Sequence, residues 1–253
     1  MQIENITINS TAELTFYNRK NPRLDHRSQP AVIICPGGGY KVIAEREAEP
    51  LALAFSSQGF QVFILNYTVM SKGTTENFLN QDIEELHEGL ELIRENKTKW
   101  EIDEDNIFLL GCSAGGHVVS RYCNFNLAKK PKGVLLCYPV TSLSFGWPKD
   151  FHHFNFEIED LESYNACEMV NPDTPPTFIW HTINDKTVPV YNTLKYCERL
   201  SKYNVSVEAH IFDDGPHGLS LATRASSPND SLLNDDVSRW FNFALQWINR
   251  KLD

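Results

Sequence analysis

Long hydrophobic runs are missing from this 253-residue chain, and none approaches the ~20 apolar residues that a membrane-spanning helix needs. No basic segment followed by an apolar one opens the sequence, so the expectation is a soluble, cytoplasmic protein. Basic residues are in deficit: 23 Lys and Arg against 33 Asp and Glu give a formal charge of -10, which repels nucleic acid and anionic membranes at long range. Six cysteines are present, with neither a CxxC pair nor metal-ligand spacing, so free, reduced thiols and no metal are expected. Three of them, Cys35, Cys112 and Cys137, fall in or beside apolar runs, where a thiol behaves as a small hydrophobe. The glycines at 37–39 are followed by no Walker lysine and hydroxyl and form no GxGxxG, which argues against phosphate-loop and dinucleotide sites. No organic cofactor is expected. Repeats, low-complexity tracts and linker-like composition shifts are also lacking, and 42% hydrophobic residues can build a sizeable core. Residues 1–253 are therefore expected as one domain.

Strand and helix patterns alternate through the chain. Residues 2–17 alternate weakly, as two short strands near a sheet edge would. A polar connection over Asn18–Pro30 leads to Ala31–Cys35, a β-branched run of the kind covered on both faces. Further strands are expected over Gln61–Tyr67, Asn106–Leu110, Gly133–Val140, Thr177–His181 and Val205–Phe212. Helices are expected over Glu45–Gln58, Asn77–Trp100, Ala114–Cys123, Val190–Tyr203 and about Leu232–Lys251. A polar loop is expected around Ser71–Thr75, and Asp82, Glu84, Glu85 and Glu88 are assigned mostly to the wet side of the long helix. The alternation predicts an α/β fold with a doubly wound, mostly parallel sheet. Residues 141–176, rich in aromatics and proline, break the pattern and read as a small insertion over the carboxyl ends of the strands.

The organising stretch is NIFLLGCSAGGHVVSRYC, residues 106–123. It reads as a buried strand, a sharp turn with one hydroxyl at its apex, and a helix. Gly111 to Gly115 spells GxSxG, where small neighbours let strand and helix approach and leave Ser113 exposed at the strand's end. Gly37, Gly38 and Gly39 follow the third strand and present unobstructed backbone N–H groups, which suits an oxyanion hole formed by Gly38, Gly39 and Ala114. A serine hydroxyl needs a base and a group that orients that base. His217, in a Pro, His, Gly loop after the last strand, is the expected base, and Asp185, following the strand before it, is the expected acid. Among the rivals, His117 and His210 lie inside a helix and a strand, and His181 ends its strand too early to swing back. The neighbours His152 and His153 are read as packing or substrate contacts rather than as metal ligands.

Four motifs occur in order: PGGGY at 36–40, GCSAGGH at 111–117, WHTINDKTVP at 180–189 and GPHGLSLA at 215–222. Together they resemble the carboxylesterases of the α/β-hydrolase superfamily, in the branch of acetyl-xylan-esterase-like and feruloyl-esterase-like sugar ester hydrolases related to the hormone-sensitive-lipase group. The resemblance implies the α/β-hydrolase fold, short-chain acyl esterase activity on a small-molecule or oligosaccharide ester, and the triad Ser113, Asp185, His217. Tyr40 and Trp147 are the expected substrate contacts, and a homodimer is allowed. One departure is Pro36, where many relatives have histidine before the glycines. Two alternatives stay open at this point: a serine peptidase of prolyl-oligopeptidase type, and a ligand-binding protein on a hydrolase fold without catalysis.

Overall fold

Alternating polarity makes QIENIT and ELTFYN the first two strands, β1 (Gln2–Thr7) and β2 (Glu13–Asn18), paired antiparallel at one sheet edge. In the computed structural model, residues 1–22, 27–71, 74–125 and 129–252 are described. The connection Asn18–Pro30 and the loop around Ser71–Thr75 therefore lie partly outside the described residues.

The remaining strands are β3 (Gln29–Cys35), β4 (Gln61–Asn66), β5 (Ile102–Cys112), β6 (Gly133–Cys137), β7 (Thr177–Thr182) and β8 (Val207–Phe212). They form one eight-stranded sheet in the order β1-β2-β4-β3-β5-β6-β7-β8. β4 pairs antiparallel with β2, and every later pairing is parallel, so the carboxyl ends of β3 and β5 to β8 share one rim. β3, β6 and β7 are buried along nearly their whole length, as continuous apolar runs between two helical layers require.

Helices α1 (Glu49–Ser57), α2 (Phe78–Glu95), α3 (Ala114–Asn124), α4 (Ala166–Met169), α5 (Tyr191–Lys202), α6 (Asp235–Ser238) and α7 (Trp240–Asn249) cover the sheet. Two apolar clusters result. One centres on Ile33, Phe63, Leu109 and Val119 beneath α2 and α3, the other on Val32, Leu110, Trp180 and Trp240 beneath α1 and α7. Successive residues of one strand enter opposite clusters because side chains alternate across a sheet. Among the described residues no helix is long and apolar enough to cross a membrane.

Two readings need correction. The acidic residues of α2 are not all solvated: Asp82 and Glu85 are buried, with 0% and 1% exposure. Glu85 points inward because its carboxylate accepts hydrogen bonds from the Thr68 N–H and hydroxyl and from Asn9 and Gln81. The closing helix is two helices, because Asn234 caps α6 by accepting from the Val237 N–H, and α7 starts separately at Trp240.

Candidate active site

β5 ends at Cys112 and α3 begins at Ala114, leaving Ser113 alone at the turn with φ 52° and ψ -117°. That backbone is sparsely populated for a residue with a side chain and persists because its surroundings over-determine it. The Ser113 N–H donates to Cys137 on β6 at 3.0 Å, and its carbonyl accepts from Val140 at 3.0 Å and His117 at 3.3 Å. Close approach also demands glycine: a Cβ on Gly115 would lie 2.0 Å from the Cys35 carbonyl oxygen.

The loops after β7 and β8 bring the other two side chains to this rim. Ser113 Oγ lies 2.8 Å from His217 Nε2, and His217 Nδ1 lies 2.6 Å from Asp185 Oδ2. A carboxylate can only accept, so Nδ1 carries the proton and Nε2 is left to accept from the serine hydroxyl. Asp185 Oδ1 accepts from the N–H groups of Thr187 and Val188, and its side chain is fully buried. Burial alone would raise its pKa, but hydrogen bonds from His181 and His217 outweigh that and hold the carboxyl well below its usual range. Ser113, Asp185 and His217 are thus within hydrogen-bond reach in the order serine, histidine, carboxylate.

The glycine loop after β3 faces the serine. Gly38 has φ 126°, and a Cβ there would meet the Val42 carbonyl oxygen at 1.9 Å, so only glycine fits. The Gly37 N–H donates to Glu47 Oε2 at 2.7 Å and is already committed. Those of Gly38, Gly39 and Ala114 make no turn or loop hydrogen bond among the described residues. The Gly37 and Gly38 carbonyls accept from Ala44 and Lys41, which fixes the loop from its other side. Tyr67 also holds the loop by donating to the Pro36 carbonyl at 2.6 Å, and His153 by donating to the Gly39 carbonyl at 2.7 Å.

Other expected residues take different places. Tyr40, expected as a substrate contact, is fully buried, and its hydroxyl donates to His117 Nδ1 at 2.7 Å. Its φ of 63° turns the ring inward against Tyr67, Phe78 and Phe154. Trp147 is 6% exposed and packs edge-on against His153. His117 also donates from Nε2 to the Tyr164 carbonyl, and burial, reinforced by Arg121, lowers its pKa to about 3. Cys112 is buried and its thiol is pushed well up by burial, so a thiolate beside Ser113 is disfavoured. All six cysteines are free. Among the described residues no group of three or more His, Cys, Asp or Glu could hold a metal ion.

Glu47 and Tyr138 escaped the sequence reading because their partners are distant in the chain, and His181, set aside as a base, was not read as a partner of the acid. Glu47 is buried between Gly37 and Tyr138, whose hydroxyl donates to Oε1 at 3.0 Å. Tyr138 lies edge-on to His217, ring centroids 5.1 Å apart, and its hydroxyl accepts from the Ser220 N–H. His181 Nε2 lies 3.2 Å from Asp185 Oδ2.

A mostly parallel eight-stranded sheet, a strained serine between strand and helix, and a late histidine backed by a carboxylate define an α/β hydrolase. Comparison with known proteins narrows the class. Residues 19–129 match the BD-FAE family. A sugar hydrolase of Lactococcus lactis, YeeB, is 52% identical and superposes with a TM-score of 0.94, with 99% of this chain and 98% of that one covered. The carboxylesterase Cest-2923 of Lactobacillus plantarum is 28% identical, with a TM-score of 0.92 and the same 99% and 98% coverage. An acetylxylan esterase of Xylanibacter ruminicola is 24% identical over 249 residues, 93% of this chain and 49% of that protein. The chain spans between 34% and 55% of the lengths of the curated relatives it matches. It belongs to the carboxylesterases of the α/β-hydrolase superfamily.

Proposed function

We propose that the protein is a serine carboxylesterase that removes short acyl groups, chiefly acetyl, from carbohydrate esters. The observation that carries this reading is the continuous hydrogen-bonded line from Ser113 Oγ through His217 to Asp185 Oδ2, with spacings of 2.8 and 2.6 Å. His217 Nε2 takes the hydroxyl proton as Ser113 Oγ bonds to the ester carbonyl carbon, and the carbonyl oxygen becomes an oxyanion. The N–H groups of Gly38, Gly39 and Ala114 receive it, aided by the positive end of the 11-residue helix α3. Collapse of the intermediate breaks the bond to the alcohol oxygen, which leaves with the proton from His217. Water, deprotonated by the same nitrogen, then attacks the acyl-serine and releases the acid. Asp185 keeps the imidazole in the tautomer each step needs and offsets its positive charge.

The sugar component of the proposal draws on the L. lactis sugar hydrolase and the X. ruminicola acetylxylan esterase. Residues 141–176 form one wall of the substrate site in this account, since His153 from that segment holds the Gly39 carbonyl. A panel of acetylated xylo-oligosaccharides, feruloyl esters and p-nitrophenyl esters of increasing acyl length tests it. Highest kcat/KM on acetylated sugars, falling with acyl length, is expected. A preference for long acyl chains or for aminoacyl anilides would contradict it.

A further inference from the structure

We propose that His181 is a positioning residue for the active-site carboxylate, donating its Nε2–H to Asp185 Oδ2 and thereby setting both the orientation and the basicity of the group behind His217. The inference rests on the esterase reading above and extends it to a residue outside the triad.

His181 is fully buried at the end of β7, and its ring has a partner at each nitrogen. Nε2 faces Asp185 Oδ2 at 3.2 Å and the Val188 carbonyl at 3.0 Å, and Nδ1 faces the Thr193 hydroxyl of α5 at 2.8 Å. A carboxylate and a carbonyl can only accept, so Nε2 must carry the proton. Nδ1 then accepts from Thr193, whose hydroxyl is the one partner able to donate. This single tautomer satisfies every polar atom in the cluster. Burial lowers the pKa of His181, which keeps the ring neutral and the tautomer fixed.

Asp185 Oδ2 thus accepts from two imidazoles, His217 at 2.6 Å and His181 at 3.2 Å. Each hydrogen bond accepted spreads the carboxylate's charge and weakens its pull on the others. Without the His181 donor, Asp185 would favour the protonated form of His217 more strongly, and the basic form would appear only at higher pH. Other ionisable groups near the cluster are few. Tyr138, from the loop after β6, meets His217 edge-on and binds Glu47, and burial pushes its phenol well up. Asp214 is held at the rim by Asn184, and Lys186 is exposed on the turn that carries Asp185. α5 contributes Thr193, which does not ionise in this range.

The test is the pH profile of kcat/KM on p-nitrophenyl acetate for the wild type, His181→Gln and His181→Leu, together with NMR of the full chain carrying 15N-labelled histidine. Gln retains a donor and an acceptor, whereas Leu retains neither. In His181→Leu the acidic limb should move to higher pH by about half a unit, while His181→Gln should stay close to the parent. An unmoved limb in His181→Leu, or an equal displacement in both variants, would overturn the proposal. If His181→Leu does not fold, Thr193→Val makes the test, with a smaller upward shift expected and an unmoved limb decisive against it. In the wild type, His181 should give the neutral Nε2–H tautomer at about pH 7; an Nδ1–H tautomer would refute the donation to Asp185. An inactive wild type would instead defeat the esterase reading, and the tautomer would still decide the hydrogen bond.

Discussion

Glu47 accepts a hydrogen bond from the Tyr138 hydroxyl at 3.0 Å with Oε1 while its other oxygen accepts from the Gly37 N–H at 2.7 Å. One buried carboxylate therefore ties the glycine loop after β3 to the tyrosine packed against His217. Arg46 strengthens the link by donating to the Gly218 carbonyl at 2.8 Å, and Ser220 donates to the Arg46 carbonyl at 2.6 Å.

Replacing Glu47 with Leu would leave the Gly37 N–H and the Tyr138 hydroxyl without an acceptor. A loss of about 2–4 kcal/mol of stability is expected, with kcat on p-nitrophenyl acetate reduced roughly tenfold or more. Glu47→Gln, which keeps one acceptor, should lie between parent and Leu variant. Urea unfolding and steady-state kinetics measure the two effects separately.

Gly38→Ala should be more damaging to catalysis than to folding. Its Cβ would lie 1.9 Å from the Val42 carbonyl oxygen at a φ of 126°, so the loop must shift and displace the N–H groups assigned to the oxyanion. A fall in kcat of roughly 10²- to 10³-fold, the usual cost of one oxyanion donor, is expected with little change in KM. Wild-type kcat in this variant would remove Gly38 from the site.

Acid should destabilise the protein through His117 before it protonates Asp185. The folded-state pKa of His117 is lowered by burial from 6.5 to about 3, so below 6.5 the unfolded chain binds a proton that the folded chain refuses. Stability is therefore lost as pH falls from about 6.5 towards 3. His181, also lowered by burial, acts in the same direction, and Asp185, held below its usual range, adds a further loss below about pH 4. His117→Gln can still accept from Tyr40 and donate to Tyr164 without titrating. Its urea midpoint should change less between about pH 7 and about pH 4.5 than that of the parent.

Much of the site was legible because its signals are local. The GxSxG turn is bounded by a recognisable strand and helix, and Asp185 and His217 each follow a strand that ends at the same rim. The third strand announced the glycine loop in the same way. Side-chain direction set by an unusual backbone was not legible: Tyr40 follows the glycines but turns inward at φ 63°. Polar contacts between residues far apart in sequence were equally hidden. Asp82 and Glu85 look like solvated positions on α2, and the spatially adjacent Asn9, Thr68 and Gln81 explain why Glu85 is buried. His181 was set aside as a base because it ends its strand early, yet that position places it beside Asp185.

Asp82 carries a stability prediction of its own. Both carboxylate oxygens are buried without a hydrogen-bond partner among the described residues, and burial pushes the group well above the usual carboxylate range. A raised acid in the folded state costs stability as pH climbs above its unfolded value of 3.8. Asp82→Asn should therefore be more stable than the parent near pH 7.5 by about 1–3 kcal/mol, with the gain shrinking towards pH 4.5. Urea midpoints at the two pH values check both the sign and the trend.

The nucleophile itself is tested most directly by stopped-flow mixing of the full chain with p-nitrophenyl acetate, in parallel with Ser113→Ala. The wild type should release p-nitrophenol at a rate abolished by the substitution, and a fluorophosphonate probe should label the wild type alone. Equal release by both proteins, or equal labelling, would contradict the assignment of Ser113 as the residue that attacks the ester.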